Sequence, residues 1–431
     1  DTATKKLETD LTDQPYQRAK LQETLGLTYQ ALGLHQQAIS LREQVRDYQL
    51  ATVGLEHPDT LGALNNLATS YFGAGRQDDA LEMREEAMKL FRKVSGPEHP
   101  DTLMALANLA TSYASAGRQD EALEMREEVL KLRRTVSGLE HPDTLEALAN
   151  LAVSYASVGR LDEALEMQEE TLKLRREVSG SEHSETLKAI NNLALSYASS
   201  GRLEDATSLW AESSASNSED TILAVQVAVL QTWFNKEADY LATSKRMLEW
   251  EKEAKLSLDF SSIALIACLR TPDESKVRVS ALDLARKGVD TGKDSPYLFY
   301  FQMVLGMAEH RNGNYTQADE TLAGAVTLAA SFENKKLRSR IETTANFYRT
   351  MSLFQQGKPD EARTLFTATE AKMKPLPADE KNPFVNDENH NDLIMWLAYK
   401  EAKALLAEFG TPGTTSDPDE ESSPSEKAPT E

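Results

Sequence analysis

The sequence predicts an all-α fold, an α-α superhelix of stacked helical hairpins, and three observations carry that prediction. The phrase GLEHPDTL at Gly54–Leu61 returns as GPEHPDTL at Gly96–Leu103, GLEHPDTL at Gly138–Leu145 and GSEHSETL at Gly180–Leu187, which sets His57, His99, His141 and His183 42 residues apart. Further landmarks keep step: Leu67, Leu109, Leu151 and Leu193; Tyr71, Tyr113, Tyr155 and Tyr197; Gly75, Gly117, Gly159 and Gly201; Ala80, Ala122, Ala164 and Ala206. Between landmarks, apolar residues recur at helical spacing. A fixed period of this length marks an array of parts that bury their apolar faces only against one another.

Each unit reads as two helices. In HPDTLGALNNLATSYFGAG, residues Leu61, Leu64, Leu67, Ala68 and Tyr71 make one apolar stripe. Pro58 suits the first turn, where a missing N–H costs little, and Gly75 supplies a left-handed residue to end the helix. The second helix opens on Asp78 and Asp79 and closes near Arg92 and Lys93, each sign matched to its end of the helix dipole. Glu85–Lys89, Glu127–Lys131 and Glu169–Lys173 are expected to form i,i+4 pairs. Ala68 and Ala80 fall where two helices cross, and the tyrosine of each first helix is expected to fill the space between units. LGLTYQALGLHQQAISLREQ at Leu25–Gln44 matches at the same offset. Residues 15–214 therefore hold five units, the first with a degenerate opening, after a lead-in helix at 1–14.

A histidine repeated four times is either a reactive group or punctuation. One per unit, in stacked pairs of helices packed at about 8–10 Å, the four lie roughly 18–20 Å apart. They cannot share one metal or one reaction, so they are read as helix entrances.

Beyond a polar break, residues 219–291 are expected to form divergent helical hairpins, through Thr221–Phe234, Glu237–Trp250, FSSIALIACL and Ser275–Val289. Two more hairpins are expected at 295–374, a proline-bearing loop at 375–390, a capping helix at 391–408 and a disordered acidic tail at 410–431. Trp210, Trp233, Trp250 and Trp396 read as core fillers. Cys268, the only cysteine, reads as a buried thiol.

The net charge of −22 repels phosphate backbones and argues against nucleic acid as a partner. No apolar run reaches membrane-spanning length. No glycine-rich loop, H-R-D, D-F-G, Walker-type loop or H-E-x-x-H occurs, so no catalytic function, metal or cofactor is expected of this chain. Paired acids such as Glu85–Glu86 and Glu127–Glu128 are expected to be surface charges. Arg84, Arg126, Arg92, Arg134 and Arg176 are expected to be solvated helix-end charges; any tilting inward would favour acidic peptides.

One polar column on the first helices stands out: Asn66, Asn108, Asn150 and Asn192. A carboxamide both donates and accepts, so it is suited to hold the backbone of an extended chain or, equally, to bond a neighbouring helix. Thr69, Thr111, Ser115, Ser157 and Ser199 give its surroundings little charge.

The columns of Leu-Ala, Tyr, Gly and Ala resemble the tetratricopeptide repeat. The 42-residue length, the G-x-E-H-P-D-T-L linker and the N-N-L-A helix are similar to its kinesin-light-chain subclass. The resemblance implies a right-handed superhelix whose concave groove, lined by first helices, takes extended peptides, with asparagines at the matching position. LGMAEHRNGNYTQADETLAGAV at Leu305–Val326, FYRTMSLFQQGKPDEARTLF at Phe347–Phe366 and NDLIMWLAYKEAKALL at Asn391–Leu406 resemble, with residues near the start, the C-terminal repeat region of planctomycete-type bacterial serine/threonine kinases. That resemblance implies a kinase domain and a membrane span upstream. The expected function is a non-catalytic scaffold that binds a protein or peptide in the groove of residues 57–214. The alternative is the sensory or regulatory region of a receptor-like kinase. The chain is expected to be a soluble monomer closed by its last helix, in the cytoplasm or, if a membrane helix precedes it, outside.

Overall fold

The computed structural model describes residues 7, 11–271, 274–384 and 389–408. The acidic tail, most of the lead-in segment and part of the 375–390 loop lie outside the described residues. The described residues form nineteen α-helices and one short 3-10 helix at Glu251–Glu253, with no strand. No described helix is long and apolar enough to cross a membrane. The chain divides into two compact units, Asp1–Ser213 and Ser214–Glu431.

Unit 1 is a row of helical pairs: α1 (Pro15–Ala31) with α2 (His35–Val53), α3 (Pro58–Gly73) with α4 (Gln77–Val94), and α5 (Pro100–Ser115) with α6 (Gln119–Val136). The row continues with α7 (Pro142–Ser157) and α8 (Leu161–Ser179), then α9 (Ser184–Ser199) and α10, which runs from Leu203 to Ser216. From α1 to α9 each helix packs on the next in sequence. The four histidines cap α3, α5, α7 and α9. Each Nδ1 accepts the backbone N–H two residues on, from Asp59, Asp101, Asp143 and Glu185, at 3.2 Å. This satisfies one of the orphan donors of a helix start. At the other end of α3, Gly75 at φ +79° lets its own N–H reach Phe72 O at 3.1 Å and the Arg76 N–H reach Tyr71 O at 2.9 Å. Both bonds recur around Gly117 and Gly159. A side chain with a Cβ resists this left-handed conformation, which explains the invariant spacing of glycine in the row. Leu61, Phe91, Leu106, Leu109, Leu130 and Leu148 belong to one continuous buried cluster that runs across the pairs.

Tyrosine joins each pair to the one before. Tyr71, Tyr113, Tyr155 and Tyr197 donate their hydroxyls to Glu43, Glu85, Glu127 and Glu169 at 2.8, 2.8, 2.8 and 2.6 Å. Arg76, Arg118, Arg160 and Arg202 lie over the four rings at 4.0, 3.9, 4.2 and 4.0 Å from the centroids. Burial, then the glutamate bond, raises each phenol above its usual range. Two expectations are corrected here. Glu85 and Glu127 are acceptors in inter-pair bonds rather than merely solvated charges. Glu85 is also turned to Arg118 at 3.4 Å, not to Lys89, because the phenol and guanidinium of the next pair offer fixed partners.

Unit 2 holds α11 (Thr221–Trp233), α12 (Glu237–Trp250), α13 (Ser257–Cys268), α14 (Ser275–Thr291) and α15 (Leu298–Arg311). It ends with α16 (Tyr315–Ala329), α17 (Lys335–Gln355), α18 (Pro359–Glu370) and α19 (His390–Glu408). Gly313 and Gly357 take positive φ between α15 and α16 and between α17 and α18. The centre is a single polar cluster. Arg311, fully buried, donates to Cys268 O at 2.9 Å, to the Tyr348 hydroxyl at 2.9 Å and to Glu401 Oε2 at 2.7 Å. His310 Nδ1 lies 2.9 Å from Ser352 Oγ. Burial and the adjacent Arg311 charge push that imidazole down to about 4, and burial pushes the Cys268 thiol up to about 12. Arg340 grips the buried Asp392 with two bonds of 2.7 Å. Trp233 and Trp396 are buried against one another, with ring centroids 6.0 Å apart.

Candidate functional site

The first helices of unit 1 share one face. One cleft on it is lined from α1 by Tyr16, Lys20 and Glu23, from α3 by Asn66 and from α5 by Met104. A second, of about 190 Å³, lies between α7, α8 and α9 and carries Asn150 and Asn192.

The asparagine column divides in two. Asn66 Nδ2 donates to Glu23 Oε1 at 3.5 Å, and Asn108 Nδ2 donates to Asn65 Oδ1 at 3.2 Å. Both bonds tie a first helix to the first helix before it. Asn65 has no counterpart one and two units on, where Ala107 and Ala149 stand. The Asn150 and Asn192 carboxamides are correspondingly without a side-chain partner among the described residues, Asn150 half-buried and Asn192 exposed. Thr69 and Thr111 are half-buried and bond back into their own helices, to Asn65 O at 2.9 Å and Ala107 O at 3.1 Å. Thr69 also accepts from Arg84 Nη2 at 3.3 Å.

Arg84 and Arg126 correct a further expectation: they are not solvated helix-end charges. Together with Arg42 they form a row of guanidinium groups reaching from α2, α4 and α6 into the next pair. Arg84 Nη1 donates to Asn108 O at 2.9 Å and Ser112 Oγ at 2.6 Å. Arg126 Nη1 reaches Asn150 O at 3.1 Å and bonds the Ser154 hydroxyl; Arg42 does the same with Asn66 O and Ser70. Burial lowers Arg84 to about 10 and lowers Arg42 and Arg126 as well. These residues sit mid-helix, where a long stem spans the seam and the head finds a carbonyl and a hydroxyl. The helix-end arginines Arg92 and Arg134 are half-exposed. They pair with Glu128 and Glu170 of the following second helix at 2.8 and 3.1 Å.

The fourth member of the buried row is Gln168. Its Oε1 is shut off from solvent and has no hydrogen-bond partner. Ser196, which corresponds to the buried Ser70, Ser112 and Ser154, is only half-buried. The 190 Å³ cleft has Gln168 in its lining, beside Thr171 and Arg175 of α8. Its apolar wall is Ala149, Val153 and Ala189. Val153 and Leu195 occupy the column of Thr69 and Thr111, and they stand 55% and 60% exposed on this face. Sequence reading overlooked Gln168, Arg175, Val153 and Leu195. The signal for Gln168 and for the two apolar residues was a break in a column, visible only when each repeat position is compared with its own series.

Residues 17–93, 59–135 and 143–215 match the tetratricopeptide repeat model. The crystal structure of a Podosopora anserina putative kinesin light chain with nearly identical repeats of this type is 31% identical over 47% of this chain and 95% of its own, with a TM-score of 0.43. Residues 17–135 and 143–215 therefore carry tetratricopeptide repeats. BtubC from P. vanneervenii is 20% identical over 50% of this chain and 87% of its own, with a TM-score of 0.44. No curated protein matches the chain. The tetratricopeptide match takes in all five helical pairs of unit 1, and with them the asparagine column and both clefts.

Proposed function

We propose that unit 1 is a non-catalytic scaffold that binds an extended segment of a protein partner along the face of its first helices. One observation carries this reading: Asn150 and Asn192 line a single cleft, one repeat apart, with their carboxamides uncommitted. Two donor–acceptor groups at a fixed interval suit the alternating N–H and C=O of an extended backbone. Asn66, Asn108, Thr69 and Thr111 form the other end of the same groove, where their polar groups also hold neighbouring helices. The test is a library of random extended peptides displayed on phage and panned on the full chain. Enrichment is expected on the native chain and is expected to disappear with Asn150→Ala plus Asn192→Ala. Equal enrichment on both would remove the groove assignment.

Within this reading the scaffold would serve as the regulatory part of a longer serine/threonine kinase. The resemblance of Leu305–Val326 and Phe347–Phe366 to the repeat region of such kinases supports it. The coding sequence upstream of Asp1 tests it directly: a kinase domain followed by a membrane helix is expected.

A further inference from the structure

We infer that the groove selects a segment of fixed polarity, with aliphatic side chains seated on Val153 and Leu195 of α7 and α9 and a lysine or arginine toward the cleft between α1, α3 and α5. The inference rests on the groove reading above and adds what the partner must carry and which way it must lie.

The apolar end is a change within one column. Along the first helices the column reads Leu27, Thr69, Thr111, Val153 and Leu195. Leu27 is 52% exposed but stands alone, because the half-buried Thr69 follows it. Thr69 and Thr111 turn their hydroxyls back to carbonyls of their own helices. Val153 and Leu195 are consecutive members, and each leaves more than half of its surface in water. Each also follows, by three residues, one of the uncommitted asparagines, Asn150 and Asn192. Such a surface suits a segment whose main chain is held by carboxamides and whose aliphatic side chains leave water on contact.

Charge also differs between the two ends. The helices α3, α5, α7 and α9 each carry an acid in the first turn: Asp59, Asp101, Asp143 and Glu185. At α7 and α9 cations answer it. Arg133 bonds Asp143, and Arg175 and Lys188 reach Glu185 at 3.3 and 2.7 Å. With the exposed Glu146 counted, the three cations and three acids of that end balance. The position of those arginines is held by Gln49 and Phe91 at the two earlier seams. Asp59 and Asp101 therefore meet, among the described residues, only the imidazoles of their own helix caps, each at 3.7 Å. Their side chains are 63% and 50% exposed, and both line the cleft of about 340 Å³ that also carries Glu23 and Lys20. Arg42 beside it is buried, so three carboxylates share one solvent-exposed ammonium. A cationic head gains from that end and a carboxylate does not. Tyr16 and Met104, exposed in the same cleft, offer apolar surface to the stem of a lysine or arginine.

Random dodecapeptides displayed on phage and panned on the full native chain are expected to converge on two aliphatic residues and a lysine or arginine, in one order along the sequence. A synthetic peptide of that consensus is then measured by fluorescence anisotropy on two double variants. Val153→Thr plus Leu195→Thr restores the residue of the earlier seams at two exposed positions, so helical circular dichroism should equal that of the native chain. Replacing an aliphatic residue of the peptide by serine should weaken binding at least about tenfold on the native chain and less than about threefold on this variant. Asp59→Asn plus Asp101→Asn keeps the shape of the other end and removes its charge. Replacing the lysine or arginine of the peptide by glutamine should weaken binding about fivefold on the native chain and less than about twofold on this variant, whose affinity should also depend less on salt. A consensus without the basic residue, without the aliphatic residues, or in both orders overturns the inference. So does unchanged selectivity in either double variant while Asn150→Ala plus Asn192→Ala abolishes binding, an outcome that leaves the groove reading intact. Failure of the native chain to enrich any peptide overturns the groove reading and this inference together.

Discussion

Unit 1 and unit 2 are held together internally by opposite means. In unit 1 each seam repeats the same few bonds: a tyrosine to a glutamate, an arginine over the ring, and, at three seams, a buried guanidinium to a carbonyl. No two of these tyrosine stitches share a partner. In unit 2 one residue, Arg311, joins α13, α17 and α19 at once. Distributed bonds make a unit tolerant of a local exception, and Gln168 is such an exception. A shared hub makes a unit intolerant, and none of its members is free to serve a ligand.

The sharpest way to break the comparison is to remove the hub's counter-charge. Glu401→Ala leaves the Arg311 guanidinium buried with neutral acceptors only. Removing one partner of a fully buried pair typically costs about 3–5 kcal/mol; the Glu401 side chain is 38% exposed, so water screens the pair and the loss should fall below that range. Urea unfolding followed by tryptophan fluorescence, which in unit 2 reports the buried Trp233 and Trp396 and the half-buried Trp250, should show a midpoint lowered accordingly. A cycle with Tyr348→Phe should be non-additive, because both residues act on the same guanidinium. Additive losses would mean that the cluster is a set of independent bonds, like those of unit 1.

Acid acts on the same hub. His310 is held at about 4 against an ordinary 6.5. Between those values the unfolded chain binds a proton that the folded chain refuses, so stability falls as pH drops from about 6.5 to about 4 and levels off below. At about 1.36 kcal/mol per unit, the ceiling is roughly 3 kcal/mol. His390, also held at about 4, adds in the same direction. Unfolding midpoints at pH 7 and pH 5 should differ in the native chain and differ less in His310→Gln. An equal pH dependence in the variant would exclude His310 as the source.

The two units also differ in how much of each was legible in the sequence. The period of 42 fixed the helix starts, the glycine stops and the tyrosine seams of unit 1, because each of those features is local and recurs. The cluster of unit 2 left no such trace. Arg311 and Glu401 are 90 residues apart and meet only through packing. Arg84 was misread for a related reason. A charged residue in a polar helix looks solvated until the next pair is laid against it, and its partner is a main-chain carbonyl, to which no residue type gives a clue. In the groove, the asparagine column was visible, but its division was not. That division depends on whether the residue just before each asparagine's counterpart one unit earlier is polar, as Glu23 and Asn65 are, or an alanine, as Ala107 and Ala149 are, and a single column does not carry that information.

The smallest expected effect tests the independence of the seams of unit 1. Tyr113→Phe keeps the ring, and with it the contact of Arg118 at 3.9 Å. It removes only the bond to Glu85, a half-exposed carboxylate that water and Arg118 still serve. The loss should be about 0.5–1.5 kcal/mol, the net value of one hydrogen bond whose acceptor is not stranded. Tyr71→Phe, Tyr155→Phe and Tyr197→Phe should each cost a similar amount, and the four together should sum, since they have no partner in common. Hydrogen exchange of the amides of α2, α4, α6 and α8, read peptide by peptide, checks this. Each single change should speed exchange at its own seam and leave the others near the native rate. Faster exchange along the whole row from one substitution would show the seams of unit 1 coupled as tightly as the hub of unit 2, and the contrast between the units would fail.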